Sequence, residues 1–187
     1  MHDVLIGSRE LEKAIEVAIS LGLEESQGML NIDAAKACEI ACLTVPFAHQ
    51  EATLLSIDSS LNQKIMIDAT VPLMPPKVMR VQLPQEGSAA LKAQAILGAE
   101  TTVISAFQNI SAELLQTDKE IDCDVLVAGD FLEARNVVIE LVKDAGLTGW
   151  HAGPLCNSVA AESLTSILIA INKKHSLAHS GIKITGH

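Results

Sequence analysis

Short aliphatic runs alternate along the chain with longer stretches in which apolar residues recur at helical spacing. A short aliphatic run is typical of a strand that is buried on both faces of a parallel sheet. The longer spacing indicates helices that bury one face. The runs at 3–6, 40–45, 64–68, 102–105 and 125–127 are predicted as strands. Their alternation with helices predicts an α/β fold with a doubly wound, mostly parallel sheet.

The stretches between these runs carry start and stop signals for helices. Helices are predicted from Leu11 to the stop at Gly22, from Pro46 to about Leu61, and from the cap Ser88 to Gly98. Two later helices are expected to bury Ala134, Val137, Val138, Leu141 and Val142, and, after a start near Asn157 or Ser158, Ala161, Leu164, Leu168 and Ile171. Prolines make 71–84 an irregular connection. No linker interrupts the pattern, so residues 1–187 are predicted to form a single domain.

Composition narrows the classes of partner. Hydrophobic residues make up 49% of the chain and aromatic residues only 2%, so aliphatic side chains must fill the core. The formal net charge of −10 is opposite to the basic surface that a general nucleic-acid binder needs. We therefore expect no nucleic-acid partner.

The termini and cysteines predict a cytoplasmic protein. The N-terminus lacks a basic segment followed by an apolar stretch, so no secretory signal peptide is predicted. The most apolar late segment, Ser163–Asn172, is shorter than the roughly 20 residues that span a bilayer, and no membrane association is expected. Cys38, Cys42, Cys123 and Cys156 are predicted to be reduced, buried small hydrophobes. A metal shared by the first two of these cysteines would lack its second ligand pair, and we predict no metal site.

The clearest chemical signal is Gly7-Ser8-Arg9, directly after the first predicted strand, with Lys13 one helical turn later. In dinucleotide-binding folds the end of the second strand faces the adenosine ribose, where an arginine suits the 2′-phosphate of NADP. Arg9 offers a planar fork and Lys13 a mobile charge, at a helix start that favours anions. The alternative is a plain helix start, in which Ser8 is only an N-cap and the two cations are solvated. The G-x-G-x-x-G loop that normally seats the pyrophosphate does not occur in the sequence.

A series of short motifs follows in a definite order, each weak alone. They are His2-Asp3-Val4-Leu5-Ile6-Gly7-Ser8-Arg9 with Lys13, Leu43-Thr44-Val45-Pro46 with His49, Gly87-Ser88-Ala89-Ala90, the segment 105–112, Gly129-Asp130, the segment 152–158, and Glu162-Ser163-Leu164-Thr165. Over essentially the whole chain this series resembles the NADPH-dependent reductases of the deazaflavin coenzyme F420, the F420H2:NADP+ oxidoreductases.

The resemblance implies a Rossmann-type domain that transfers a hydride between NADPH and F420, whose rings meet face to face in a cleft. It implies that the C-terminal helical part contributes to this cleft. By position, Ser8, Arg9 and Lys13 match the adenosine phosphate site, and Val45, His49, Val71 and Ala106 match other positions that contact NADP. The deazaflavin side is predicted near Met74, Asn109, Pro154 and Asn157. For His49 and Asn157, helix capping is the alternative role.

Two departures from the family pattern stand out. Family members usually begin with a strand, a Gly-Gly-Thr-Gly-like loop and a helix that ends in Gly-His. Here Met1 stands in place of the glycine of that final Gly-His pair, directly before His2. We favour a fragment or mis-assigned start of a complete enzyme over a genuine short form that is non-catalytic or borrows the missing part. Loss of a central strand is expected to uncover strand edges and apolar surface, which should promote self-association, so we expect a homo-oligomer. Gln108 stands where many members have His, and it cannot carry a proton at neutral pH.

Hydride transfer between two organic cofactors needs no protein nucleophile, because the protein supplies proximity, orientation and electrostatics. We therefore predict no catalytic acid, base or metal ion. Two alternatives stay open on the sequence. One is a related Rossmann reductase that acts on an imine, a carbonyl or a ferric ion. The other is a truncated nucleotide-fold protein that acts through a partner.

Overall fold

The aliphatic runs form the strands of two sheets in a computed structural model, which describes residues 2–117 and 120–186. The strands are β1 (Ile6–Ser8), β2 (Gly28–Leu30), β3 (Ile40–Leu43), β4 (Ile65–Asp68), β5 (Thr102–Ser105), β6 (Asp124–Ala128) and β7 (Thr148–Gly153). The helices are α1 (Leu11–Ser20), α2 (Asn31–Ala37), α3 (Phe47–Ile57), α4 (Ala89–Leu97), α5 (Ala112–Leu115), α6 (Leu132–Asp144) and α7 (Ser158–His175). Short 3-10 turns lie at Glu25–Gln27, Asp58–Ser60 and Leu155–Asn157.

The strand order divides the sheet into two parts. β1 and β2 pair in parallel, and the second sheet has the order β3-β4-β5-β6-β7. Its pairs are parallel except β5–β6, which is antiparallel through Ser105 and Ala128. Helix α2 packs on β1, β2 and α3, so it connects the two sheets. The Lys64 ammonium reinforces this connection by donating to the carbonyl oxygens of Ala35 at 2.7 Å and Lys36 at 2.8 Å.

Helices cover both faces of the larger sheet. Met66 of β4 and Val103 of β5 lie in a core cluster with residues of α3 and α4. Their neighbours Ile67 and Ile104 point the other way, into a cluster with residues of α6. Burying one such side chain fully stabilises the fold by roughly 1.5–3 kcal/mol. The prediction of a doubly wound, mostly parallel α/β fold is confirmed.

A glycine lets α1 cross β2 at close range. A Cβ atom added at Gly28 would lie 2.6 Å from the backbone of Ile15, closer than real Cβ contacts come. Only glycine fits at this position, so the packing of α1 on β2 depends on Gly28.

The short elements are those that the sequence pattern does not predict. The first strand lies at Ile6–Ser8 rather than at 3–6, because its pairing with β2 begins at Ile6 and Gly28. β2 has only three residues, and β7, at the sheet edge, has no buried residue and lacks an aliphatic run. The helix α2, which connects the smaller sheet to the larger one, is also not predicted by the sequence pattern.

The buried faces of the late helices also differ from the prediction. Val137 is 40% exposed and Ile139 is buried in its place, because α6 turns the latter toward the sheet. In α7, Ile171 is 37% exposed, and part of the buried face is polar, with Glu162 and Ser166. Periodicity alone does not predict which of two adjacent apolar residues faces inward.

Two of the cysteines do not lie where the composition predicts. Cys42, on the edge strand β3, and Cys156, in the turn before α7, are exposed. Cys123 is buried and Cys38 is half-buried, so burial is confirmed only for Cys123.

The last helix is longer and more apolar than the sequence pattern indicated. Within the described chain, Leu155–His175 is long and apolar enough to cross a membrane by length and composition alone, with a mean hydropathy of 1.3 and 28% burial in its most apolar 18-residue window. The expectation drawn from the shorter segment Ser163–Asn172 was therefore wrong about length. This is weak evidence for a membrane, because core helices of soluble proteins pass the same test and Glu162 is buried against α4.

Candidate functional site

A cavity of about 290 Å³ opens where β3 and β4 end. Open parallel sheets bind ligands outside the carboxyl ends of their strands. The walls come from the segments that follow these two strands, and the lining residues are Thr44, Val45, Pro46, Phe47, Ala69, Thr70, Val71 and Leu73. The structure therefore brings together Val45 and Val71, both of which the sequence predicted as cofactor contacts.

A buried polar network lies beneath this first cavity. The Asp68 carboxylate accepts hydrogen bonds from the Gln50 amide at 2.7 Å and from the Thr70 backbone N–H at 2.8 Å. The same Gln50 amide nitrogen lies 2.8 Å from Thr70 Oγ1 and 2.9 Å from the Ala89 carbonyl oxygen. Burial raises the pKa of Asp68 to about 6, although the hydrogen bonds from Thr70 and Gln50 oppose that rise. The network fixes the end of β4 relative to α3 and the start of α4.

The turn after β5 joins this network to a second cavity. Ala106 is fully buried, and its N–H donates to the Asp68 carbonyl at 3.3 Å. The Gln108 amide also donates to the Asp68 carbonyl, at 2.7 Å, and to the Ser105 hydroxyl at 2.8 Å. Within the described chain, the buried Gln108 Oε1 has no hydrogen-bond partner. Phe107, between them, has a φ of 73°, a conformation that few non-glycine residues adopt and that often occurs at functional sites.

The second cavity, of about 200 Å³, lies between this turn, α7 and the segment that follows α7. Its lining residues are Gln108, Asn109, Ile110, Ser111, Thr165, Leu168, Ile169, Asn172, His179 and Ser180. The Asn109 amide donates to the Ala161 carbonyl at 2.8 Å, and the Thr165 hydroxyl donates to the Gln108 carbonyl at 2.9 Å. Asn109 is thus the one predicted deazaflavin-side residue that lines a cavity described here.

The predicted phosphate-binding residues cluster at the end of β1. Ser8 is not the N-cap of α1, since Glu10 holds that position without a side-chain capping bond. Instead, the Ser8 hydroxyl accepts from the Glu10 N–H at 3.3 Å. The Lys13 ammonium lies 2.8 Å from the Glu10 carboxylate, whose pKa is lowered mainly by that hydrogen bond and charge. Arg9 is exposed beside them.

Four other predicted contacts lie on exposed positions and line neither cavity. His49 is on the first turn of α3, where its N–H donates to the Pro46 carbonyl at 2.8 Å. The others are Met74, Pro154 and Asn157. The Asn157 amide donates to the Ala152 carbonyl at 2.6 Å, and it does not cap α7 with its side chain.

Two buried residues of α7, Glu162 and Ser158, make contacts that the sequence motifs did not predict. The Glu162 carboxylate accepts from the N–H groups of Ala89 at 2.6 Å and Ala90 at 3.1 Å, at the start of α4. The Ser158 hydroxyl donates to Ser88 Oγ at 2.7 Å. Burial raises the pKa of Glu162 to about 7, opposed by the two amide hydrogen bonds. Ser158 and Glu162 are four apart and so share one face of α7, and this spacing was the signal in the sequence that could have identified the pair.

Comparison with known proteins gives these features a context. The model of the family "NADP oxidoreductase coenzyme F420-dependent" matches residues 1–72. An F420-dependent NADP reductase from Methanothermobacter thermautotrophicus is 38% identical, over 98% of this chain and 84% of its own length. Another, from Methanocaldococcus jannaschii, is 35% identical over 98% of this chain and 88% of its own length.

A solved structure shows the same fold. It is that of a proposed F420-dependent NADP-reductase from Arthrobacter sp. FB24, with a TM-score of 0.81 and 22% sequence identity. The match covers 99% of this chain and 89% of that one. At this identity the likeness supports the fold alone.

Proposed function

The chain belongs to the family of F420-dependent NADP oxidoreductases, and we propose that it transfers a hydride between NADP(H) and coenzyme F420 where β3, β4 and β5 end. The observation that carries the proposal is the first cavity, whose walls contain Val45 and Val71 at the carboxyl ends of two parallel strands. Relatives that are 35–38% identical over nearly the whole chain have this activity in their names.

The residues present fit the two ends of such a dinucleotide. Arg9 and Lys13 lie on the first residues after β1, where a planar cation and a mobile one can meet a 2′-phosphate. The apolar walls of the first cavity, with Val45 and Val71, suit a flat ring. The orphaned Gln108 Oε1 is an acceptor that a ring substituent can satisfy.

When bound, the two cofactors supply the hydride-donating and hydride-accepting carbons themselves. The chain then has to bind, orient and exclude water. Val45 and Val71 are proposed to hold the ring against the ends of β3 and β4. The hydrogen bonds that Ala106 and Gln108 donate to the Asp68 carbonyl keep the end of β5 in place beside β4.

The F420 side is proposed to lie around the second cavity and the exposed rim beside it. Asn109 lines the second cavity, next to Gln108, and is proposed to contribute there. Met74, Pro154 and Asn157 remain predictions for the exposed rim on the F420 side, where a bulky second cofactor can approach, and His49 remains a predicted NADP contact. Orientation matters here, because well-placed reactants gain roughly 7–11 kcal/mol relative to freely diffusing ones.

Turnover by the 187-residue chain tests this function. NADPH and F420 are mixed with the protein, and the absorbance of the deazaflavin is followed. We expect weak bleaching with NADPH for this chain alone, and much slower bleaching with NADH. Reduction of an imine, a carbonyl or a ferric chelate, with none of F420, would contradict the proposal and favour a related reductase.

A further inference from the structure

Two loops that carry predicted cleft residues end at two neighbouring helix N-termini. The β4–α4 loop, residues 69–88, carries Val71 and Met74 and leads into α4. The β7–α7 turn, residues 154–157, carries Pro154 and Asn157 and leads into α7. Whatever fixes these two helix starts relative to each other therefore fixes two parts of the proposed cleft.

The side chains of α7 make that connection. Glu162 accepts from the first two backbone N–H groups of α4, those of Ala89 and Ala90. Ser158, one turn earlier, donates to Ser88, the residue whose hydroxyl caps α4 by accepting from the Leu91 N–H at 3.1 Å. Both pairs are buried, with Glu162 only 1% exposed.

The same helix start is also fixed from the side of the sheet. The Gln50 amide bonds the Ala89 carbonyl oxygen and the Asp68 carboxylate, which lies at the end of β4. The β4–α4 loop is therefore held at its first residues by Gln50 and at its last residues by Glu162 and Ser158. Between these ends it contains no helix or strand.

A buried carboxylate is a costly choice for a helix cap. Moving the charge out of water is unfavourable, and only charge-assisted hydrogen bonds and the positive end of α4 offset that cost. Whatever the net contribution of this carboxylate to stability, its two hydrogen bonds fix the start of α4 relative to α7. Ser166, also buried on α7, makes no such contact with α4 among the described residues.

We propose that Glu162 is a positioning residue, which acts through the amides of Ala89 and Ala90 to hold the β4–α4 loop against the start of α7. This inference rests on the proposed function for its consequence, the placement of the reacting rings. Its structural part, the restraint of the loop, can be measured without any turnover.

Limited proteolysis measures the restraint directly. Lys77 and Arg80 are exposed trypsin sites within the β4–α4 loop. In Glu162→Gln, a side-chain amide replaces the carboxylate. Of the N–H groups of Ala89 and Ala90, one then faces an NH2 group, which cannot accept, or both share an amide oxygen, which is a weaker acceptor than a carboxylate. We expect cleavage at these two sites, mapped by mass spectrometry, to accelerate about tenfold, which is equivalent to about 1.4 kcal/mol of lost closure free energy. The matched control Ser166→Ala, on the same helix, should be cut at the wild-type rate.

Kinetics then tests the consequence for hydride transfer. With F420 as acceptor, Glu162→Gln should lower kcat while leaving the KM for NADPH within about threefold, because the proposed phosphate-binding residues lie at the end of β1 and the start of α1, away from Glu162. The primary isotope effect with deuterated NADPH should rise as the transfer step slows. An unfolded fraction would lower the apparent kcat without changing the isotope effect, and it would raise cleavage at sites throughout the chain rather than at Lys77 and Arg80 alone.

The outcomes separate the two proposals. If the loop of a folded Glu162→Gln protein is cleaved at the same rate as that of the wild type, the inference is overturned, whether or not the enzyme turns over. Faster loop cleavage without any F420 reduction by the wild type supports the restraint and contradicts the proposed function. If Glu162→Gln fails to fold, Glu162→Asp, which keeps the carboxylate but shortens its reach to the Ala89 and Ala90 N–H groups, replaces it, and loop cleavage at the wild-type rate in that variant overturns the inference.

Discussion

The charged residues after β1 differ in how freely they can meet a phosphate. The Lys13 ammonium is engaged by Glu10 at 2.8 Å, although both side chains are largely exposed. Arg9 makes no hydrogen bond or ion pair with any described residue. Arg9 is therefore the residue that we expect to contribute most to recognition of the 2′-phosphate.

Replacing Arg9 by alanine tests nucleotide choice. A hydrogen bond to a charged group contributes roughly 1.5–3 kcal/mol, so NADP binding should weaken by about 10- to 100-fold. NAD, which lacks the 2′-phosphate, should bind almost as before. Calorimetric titration with both nucleotides checks this, and equal losses for the two would contradict the assignment.

Glu10→Gln should have the opposite effect. The substitution removes a negative charge beside the proposed phosphate site and frees Lys13 from an exposed ion pair, which solvent screens strongly. We expect NADP to bind up to about fivefold more tightly, with NAD unchanged. Measured at low and high salt, the gain should shrink as ionic strength rises. Weaker NADP binding would show that Glu10 holds Lys13 in a productive position.

Two buried acids predict how stability depends on pH. Asp68 and Glu162 have folded-state pKa values of about 6 and about 7, both above their ordinary values, chiefly through burial. Since the folded state holds these protons more tightly, their contribution to stability is present below about pH 4 and is lost as pH rises through 6 to 7. A pKa held one unit higher corresponds to about 1.4 kcal/mol.

Urea unfolding at pH 5 and pH 8 measures this dependence. The wild type should lose on the order of 2–3 kcal/mol more than Glu162→Gln over that interval, and Ser166→Ala should follow the wild type. A pH dependence that is the same in wild type and Glu162→Gln would mean that Glu162 does not titrate in this range.

At the residue scale, a motif let the sequence predict which residues lie near one another, whereas their contact with a cofactor stays a prediction. Val45 and Val71 were predicted by position in a family pattern, and they line one cavity. Gln50 and Asp68 were not, because they are 18 positions apart and meet only when α3 folds over the end of β4. A polar residue at the end of an aliphatic run is a weak signal until the topology is known.

At the scale of elements, length decided what the sequence could predict. β4, β5 and β6 follow clear aliphatic runs and lie within a residue of their predicted bounds. β2 has three residues, too few for a periodicity, and its place is set by packing against α1. Gly28 is the residue that permits this packing.

Gly28→Ala tests the packing of α1 on β2. The added methyl would lie 2.6 Å from the Ile15 backbone, so the helix must shift. Overpacking of this kind typically costs about 1–3 kcal/mol, and we expect that loss in the free energy of unfolding. Gly186→Ala, where an added Cβ would contact nothing within 4 Å, is the matched control. Equal stability of the two variants would show that α1 is not held closely against β2.

At the scale of the whole molecule, the sheet is in two parts joined by α2. Among the described strands, β1 and β3 each pair along one edge only. Apolar side chains on α1, including Val17 and Ile19, are about half exposed. The prediction of a homo-oligomer agrees with such surface, and it stays a prediction.

The central claim is that this chain brings two cofactors together for direct hydride transfer. Incubating the protein with F420 and NADPH that carries deuterium at the transferred position, followed by mass spectrometry of the reduced deazaflavin, tests it most directly. We predict that one deuterium appears in the reduced deazaflavin, because Val45, Val71 and the neighbouring cavity residues only bind and orient the reactants. Loss of the deuterium to water, or no reduction of F420 at all, would contradict this account.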